Sequence, residues 1–76
     1  MIKTRNVNEL QVGDVGKIVE LATDDRIIYG KLMSLGIIPG ISVRLLRRKP
    51  NIVLQAGYTK VALDHRLAVF IHVRLQ

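Results

Sequence analysis

The chain has 76 residues, 49% of them hydrophobic, and carries 12 Lys and Arg against 6 Asp and Glu, for a net charge of +6, with no cysteine. That length holds one domain, residues 1–76, burying about 60% of the surface it exposes unfolded, and with one Phe, two Tyr and no Trp its core has to be aliphatic. The apolar content excludes disorder, no apolar run reaches the ~20 residues that cross a bilayer, and there is no cysteine framework for an exported mini-domain.

The first residues, Met1-Ile2-Lys3-Thr4-Arg5-Asn6, lack the apolar block of a secretory signal, so a cytoplasmic location is expected. Asn8-Glu9-Leu10 reads as a short turn, followed by Val12-Gly13-Asp14-Val15-Gly16, whose glycines are read as turn residues before a first strand from Lys17 to Leu21. Thr23-Asp24-Asp25 supplies capping oxygens and negative charge where a helix dipole favours it. Ile28, Leu32 and Leu35 then share one face, which predicts a helix from Asp25 to Leu35. Gly30 weakens that helix by about 1 kcal/mol against alanine, so packing has to support it.

Gly36 is placed to close the helix in the left-handed conformation, and Pro39-Gly40 makes the following turn. Ile41, Val43 and Leu45 alternate with Ser42 and Arg44 as in a half-buried strand, and Leu46 breaks the alternation. Pro50-Asn51 turns the chain into a strand from Ile52 to Gln55. Ala56-Gly57-Tyr58-Thr59 reads as a loop or bulge before a strand from Lys60 to Leu63. Asp64 caps a brief helical turn through Arg66 and Leu67, and a last strand from Val69 to Leu75 alternates Ile71, Val73 and Leu75 against Phe70, His72 and Arg74. About five short strands, one helix after the first and a helical turn before the last fit a mainly β, strongly bent barrel.

Catalytic patterns are missing. Gly13-Asp14-Val15-Gly16-Lys17 has Ile18 where a phosphate loop needs Ser or Thr, and its glycine spacing is too short. His65 and His72 do not form a ligand-spaced pair, and no hydroxyl lies in a nucleophile elbow. The net charge favours an anionic partner, and Arg44 to Lys49 is the densest basic run. These features point to a binding module with no cofactor and no metal.

Three stretches, read together, carry a family resemblance. They are Val12-Gly13-Asp14-x-Gly16-x-Ile18, Lys31 through Gly40 with its Leu35-Gly36-Ile37-x-Pro39-Gly40 joint, and Val43-x-Leu45-x-Arg47-x-x-Pro50. With Gly57, Val61-Ala62-Leu63, Ala68 and Ile71-x-Val73, they make the chain similar to the ferrous iron transport protein A (FeoA) family over nearly its whole length. The hairpin after Pro50 is shorter than in many members.

The resemblance implies an SH3-like barrel and a cytoplasmic, non-enzymatic accessory role beside the ferrous iron permease FeoB, a membrane protein with a cytoplasmic GTP-binding domain. Contact with the membrane would be indirect, through the permease, and a weak homo-oligomer is left open. The same barrel closes iron-dependent repressors, but their winged helix has no room here. Tyr29, Leu32 and Met33 on the helix, with Arg47, Arg48 and Lys49, are the partner-binding candidates. Leu32 also continues the Ile28 to Leu35 stripe, which marks it as core. Two alternatives remain open. One is a small basic nucleic-acid-binding barrel of ribosomal type, disfavoured because Tyr29, Tyr58 and Phe70 are scattered; the other is a ferrous iron carrier using His65 and His72.

Overall fold

Two-residue alternation lays the chain into one antiparallel sheet that bends around its own apolar face. The computed structural model describes residues 4–76, so Met1, Ile2 and Lys3 of the N-terminal stretch lie outside it. Strand β1 (Thr4–Asn6) leads through a 3-10 turn, Val7–Glu9, to β2 (Val15–Leu21) and helix α1 (Arg26–Ser34). Strands β3 (Ser42–Arg47), β4 (Ile52–Ala56) and β5 (Thr59–Leu63) follow, then helix α2 (His65–Ala68) and β6 (Ile71–Leu75). The sheet order is β1-β6-β2-β3-β4-β5. The mainly β barrel expected from the sequence is therefore present, with a sixth strand, β1, that the pattern of Thr4-Arg5-Asn6 does not announce. Among the described residues no helix is long and apolar enough to cross a membrane.

Helix α1 starts and stops for local reasons. The Asp25 carboxylate accepts from the backbone N–H groups of Ile27 (2.8 Å) and Ile28 (3.2 Å), satisfying donors that the first turn leaves free. At the other end Gly36 takes φ +87°, donating to the Met33 carbonyl at 3.0 Å while Ile37 donates to Leu32 at 3.0 Å. This is the Schellman arrangement, and its usual apolar contact is supplied by Leu32 and Ile37, both fully buried. Gly40, at φ +102°, then donates to the Ile18 carbonyl at 2.7 Å and delivers the chain beside β2.

Two bulges set which side chains face outward. Between β2 and β6 the register shifts from Ile18–Val73 to Glu20–His72, leaving Val19 as the extra residue. Between β3 and β4 it shifts from Leu45–Leu54 to Arg47–Val53, so the broken alternation at Leu46 is a bulge that returns Arg47 to the outer face. The buried side chains among the described residues are all aliphatic, as the composition requires.

The structure corrects four local readings. Gly16 is a buried residue inside β2 with no positive φ, where the sequence suggested a turn. Ala56 and Thr59 pair across β4 and β5, so the expected loop or bulge is a two-residue hairpin, with Gly57 at φ +63° in the first central position. Val69 and Phe70 precede β6, because α2 consumes the chain through Ala68. Leu75, on the inward alternation, is 39% exposed because it reaches the end of the sheet.

Candidate functional site

Helices α1 and α2 and the segment after α2 enclose an open cleft of about 480 Å³, lined by Ile28, Lys31, Asp64, Arg66, Leu67 and Phe70. Ile28, Leu67 and Phe70 are half-buried and pack on the core, giving the cleft an apolar floor. The Phe70 carbonyl accepts from the Ala22 N–H at 2.8 Å, which ties that part of the floor to the end of β2. Ile27, next to the floor residue Ile28 in sequence, is 82% exposed.

Charge sits on the rim. The Asp64 carboxylate caps α2 by accepting from the Arg66 N–H at 2.8 Å, and it also meets the Arg66 guanidinium at 3.1 Å. That pairing holds the Asp64 carboxyl below its ordinary value and pushes Arg66 up. Among the described residues no carboxylate pairs with Lys31, so the rim keeps one uncompensated cation. A shallow apolar floor under a cationic rim suits an apolar side chain carried on an acidic segment.

The residues singled out in the sequence fall into separate places. Tyr29 is 41% exposed on α1, and Met33 is half-buried against the core. Leu32 is 0% exposed and cannot touch a partner, so it leaves the contact set and belongs to the core. Arg47, Arg48 and Lys49 are exposed, but the cleft beside α1 is walled by α2 and does not include them. Arg48 works within the fold: its guanidinium donates to the Asn8 carbonyl at 3.0 Å, and its own carbonyl accepts from His65 Nε2 at 2.9 Å. Asn8 Nδ2 donates in turn to the His65 carbonyl at 2.9 Å, so the 3-10 turn, the end of β3 and α2 are tied together.

The two histidines are apart in role, His65 in that tie and His72 Nδ1 at 3.7 Å from Glu20 Oε1. Among the described residues no group of three or more His, Cys, Asp or Glu is placed to hold a metal ion. Sequence reasoning missed Lys31, Arg66, Leu67 and Phe70 as one site. The available signal was Ile28 and Lys31 three apart on a helix, and Leu67 and Phe70 three apart after a capping Asp64.

A family model described as the FeoA domain matches residues 5–75. A crystal structure of an iron uptake regulatory protein (FeoA) is 25% identical with a TM-score of 0.89, over 99% of this chain and 100% of that one. Stenotrophomonas maltophilia FeoA complexed with zinc, described as an SH3 domain protein, is 25% identical with a TM-score of 0.69, over 90% of this chain and 87% of that one. The T. acidophilum protein IdeR is 16% identical with a TM-score of 0.92, over 100% of this chain but only 36% of that one, a likeness of fold alone. No curated protein matches the sequence of this chain.

Proposed function

The chain belongs to the FeoA domain family, and from that premise we propose that it is a non-enzymatic accessory of ferrous iron uptake. In this reading it docks in the cytoplasm on the GTP-binding domain of the membrane iron permease, FeoB, and modulates it. The observation that carries the docking is the cleft between α1 and α2, with its apolar floor of Ile28, Leu67 and Phe70 and the uncompensated Lys31 on its rim. Tyr29 and Met33 extend the contact along α1, and Arg47, Arg48 and Lys49 are a second cationic approach. The family's link to ferrous iron transport supplies the setting, and the cleft supplies a place for a partner to bind.

Capture of the permease's cytoplasmic domain by the immobilised chain tests this. Lys31→Glu places a repelling charge on the rim without removing a described hydrogen bond, and should lower capture about tenfold, the effect of roughly 1.4 kcal/mol. Charge reversal at Arg47 and Lys49, which leaves the Arg48 bond to the Asn8 carbonyl in place, measures the second approach. Capture that is unchanged in both variants would remove the docking reading.

A further inference from the structure

We propose that the outer face of the sheet is a second binding surface, a cationic stripe of Arg74, Lys17, Arg44 and Lys60 that holds an acidic, extended polypeptide segment. Lys17 of β2 stands directly opposite Arg74 of β6 on one side and Ser42 of β3 on the other. Arg44, two residues beyond Ser42, stands opposite Gln55 of β4, and Gln55 stands opposite Lys60 of β5. The residues that alternate with them, Gly16, Ile18, Val43, Leu54, Val61 and Val73, are buried, so all four cations project outward. At about 4.8 Å per strand, the stripe spans about 19 Å from β6 to β5.

Its charge is uncompensated. The ion pairs among the described residues are Asp64–Arg66 and Glu20–His72, and neither involves the stripe. Like charges directly opposite on a sheet are destabilising, so Lys17 facing Arg74 is a local cost that a bound anion would relieve. Ser42 and Gln55 lie between the cations as neutral side chains that bond within the fold, Ser42 Oγ donating to Gln76 Oε1 at 3.0 Å and Gln55 Nε2 to the Gly57 carbonyl at 3.2 Å, and a dent of about 210 Å³ lined in part by Val15, Ser42, Arg44 and Gln55 lies along the stripe.

The ligand chemistry follows from what surrounds the charges. A stacking platform for bases needs aromatic side chains, and the paired outward positions from Arg74 to Lys60 carry none; Tyr58 sits at the β4–β5 hairpin tip. The sheet bends away from a plane, which suits a flexible strand better than a flat lipid surface. Carboxylates match Arg and Lys donors by charge-assisted hydrogen bonds. An extended segment rising about 3.3 Å per residue covers the stripe with about six residues.

The stripe shares no residue with the α1–α2 cleft, so either surface can fail without the other. Fluorescence anisotropy of a labelled octaglutamate, at about 0.1 M salt where charges more than about 10 Å away are screened, needs no permease. Neutralising all four positions (Lys17→Gln, Arg44→Gln, Lys60→Gln, Arg74→Gln) should weaken binding about forty-fold, at about 2.5-fold for each exposed pair. A charge-matched control sets the double variant Arg5→Gln, Arg26→Gln, outside both the stripe and the cleft, against Lys17→Gln, Arg44→Gln: the stripe pair should weaken binding about sixfold, at about 2.5-fold for each exposed pair, and the control pair should stay within about twofold of the parent, since long-range charge is screened. Octaglutamate should also raise the thermal midpoint of the parent and not that of the stripe variant, with circular dichroism showing both folded. Equal losses in the two double variants would assign the binding to net charge and overturn the proposal. Absence of binding by the parent, or tighter binding of polyuridine or phosphatidylserine vesicles than of octaglutamate, would overturn it too.

Discussion

Gly16 offers a severe test of the packing, because adding one carbon there sets two well-defined effects against each other. The residue lies inside β2, opposite Val43 of β3 and Leu75 of β6. A Cβ at this position would stand 3.0 Å from Val73 Cβ, 3.1 Å from Val73 Cγ2 and 3.3 Å from the Arg74 carbonyl oxygen. Two of those atoms are fixed to the β6 backbone and cannot swing aside, so Gly16→Ala has to push β6 away from β2. With two of the three close atoms fixed to the backbone, overpacking here costs about 2–3 kcal/mol, the upper part of the usual range, while alanine gains about 0.4–1 kcal/mol by restricting the unfolded chain. The steric effect wins, leaving a net loss of about 1–2 kcal/mol. For a domain of this size the thermal midpoint should fall by about 4–16 °C, at about 4–8 °C per kcal/mol. Thermal unfolding followed by circular dichroism measures it, and Val73→Ala in the same chain, which removes Cγ2, should recover part of the loss as a coupling of about 0.5 kcal/mol or more. An alanine variant as stable as the parent would refute the reasoning, since β6 would then yield at no cost.

The same glycine shows what the sequence could not convey. Near Gly13, Gly16 looks like a turn residue, and only the approach of β6, nearly 60 residues later, reveals that it is needed to let two strands close. Features decided within a few residues were legible: Asp25 as a cap, Gly36 as a helix stop, Leu46 as a break in alternation and Asp64 as the start of α2. Strand β1 was not, because Thr4-Arg5-Asn6 has no apolar period and is a strand only through its pairing with His72, Val73 and Arg74. The candidate site was half legible for the same reason. Tyr29 and Met33 were found from helix phase, but the cleft joins α1 to a second helix more than 30 residues away, and no local pattern pairs Ile28 with Phe70. Arg48 illustrates the converse: a residue chosen from a charge run for its surface role spends its guanidinium on the Asn8 carbonyl.

The Asp64–Arg66 pair predicts a pH dependence with a definite sign. The carboxyl of Asp64 is held below its ordinary 3.8 by Arg66 in the folded chain, so its contribution is complete above 3.8 and is lost as pH falls through the lowered folded value. Asp64→Asn keeps a capping oxygen but has no carboxylate to titrate, so its stability should decline less steeply in acid than the parent's, as read from urea midpoints over an acid series; parallel curves would refute this. Leu32 and its neighbours separate core from contact surface. Because Leu32 is 0% exposed and closes the Schellman contact with Ile37, Leu32→Ala should cost about 2–5 kcal/mol. Tyr29→Ala, at a 41% exposed position, should stay within about 0.5 kcal/mol. The permease-capture assay completes the distinction: Tyr29→Ala should weaken capture while leaving the unfolding midpoint in place, whereas any loss with Leu32→Ala should track the unfolded fraction. If Leu32→Ala abolished capture at a temperature where the variant is fully folded, Leu32 would return to the contact set and the core assignment of the Ile28 to Leu35 stripe would fail, because no buried side chain can lose a partner without first disturbing the packing around it.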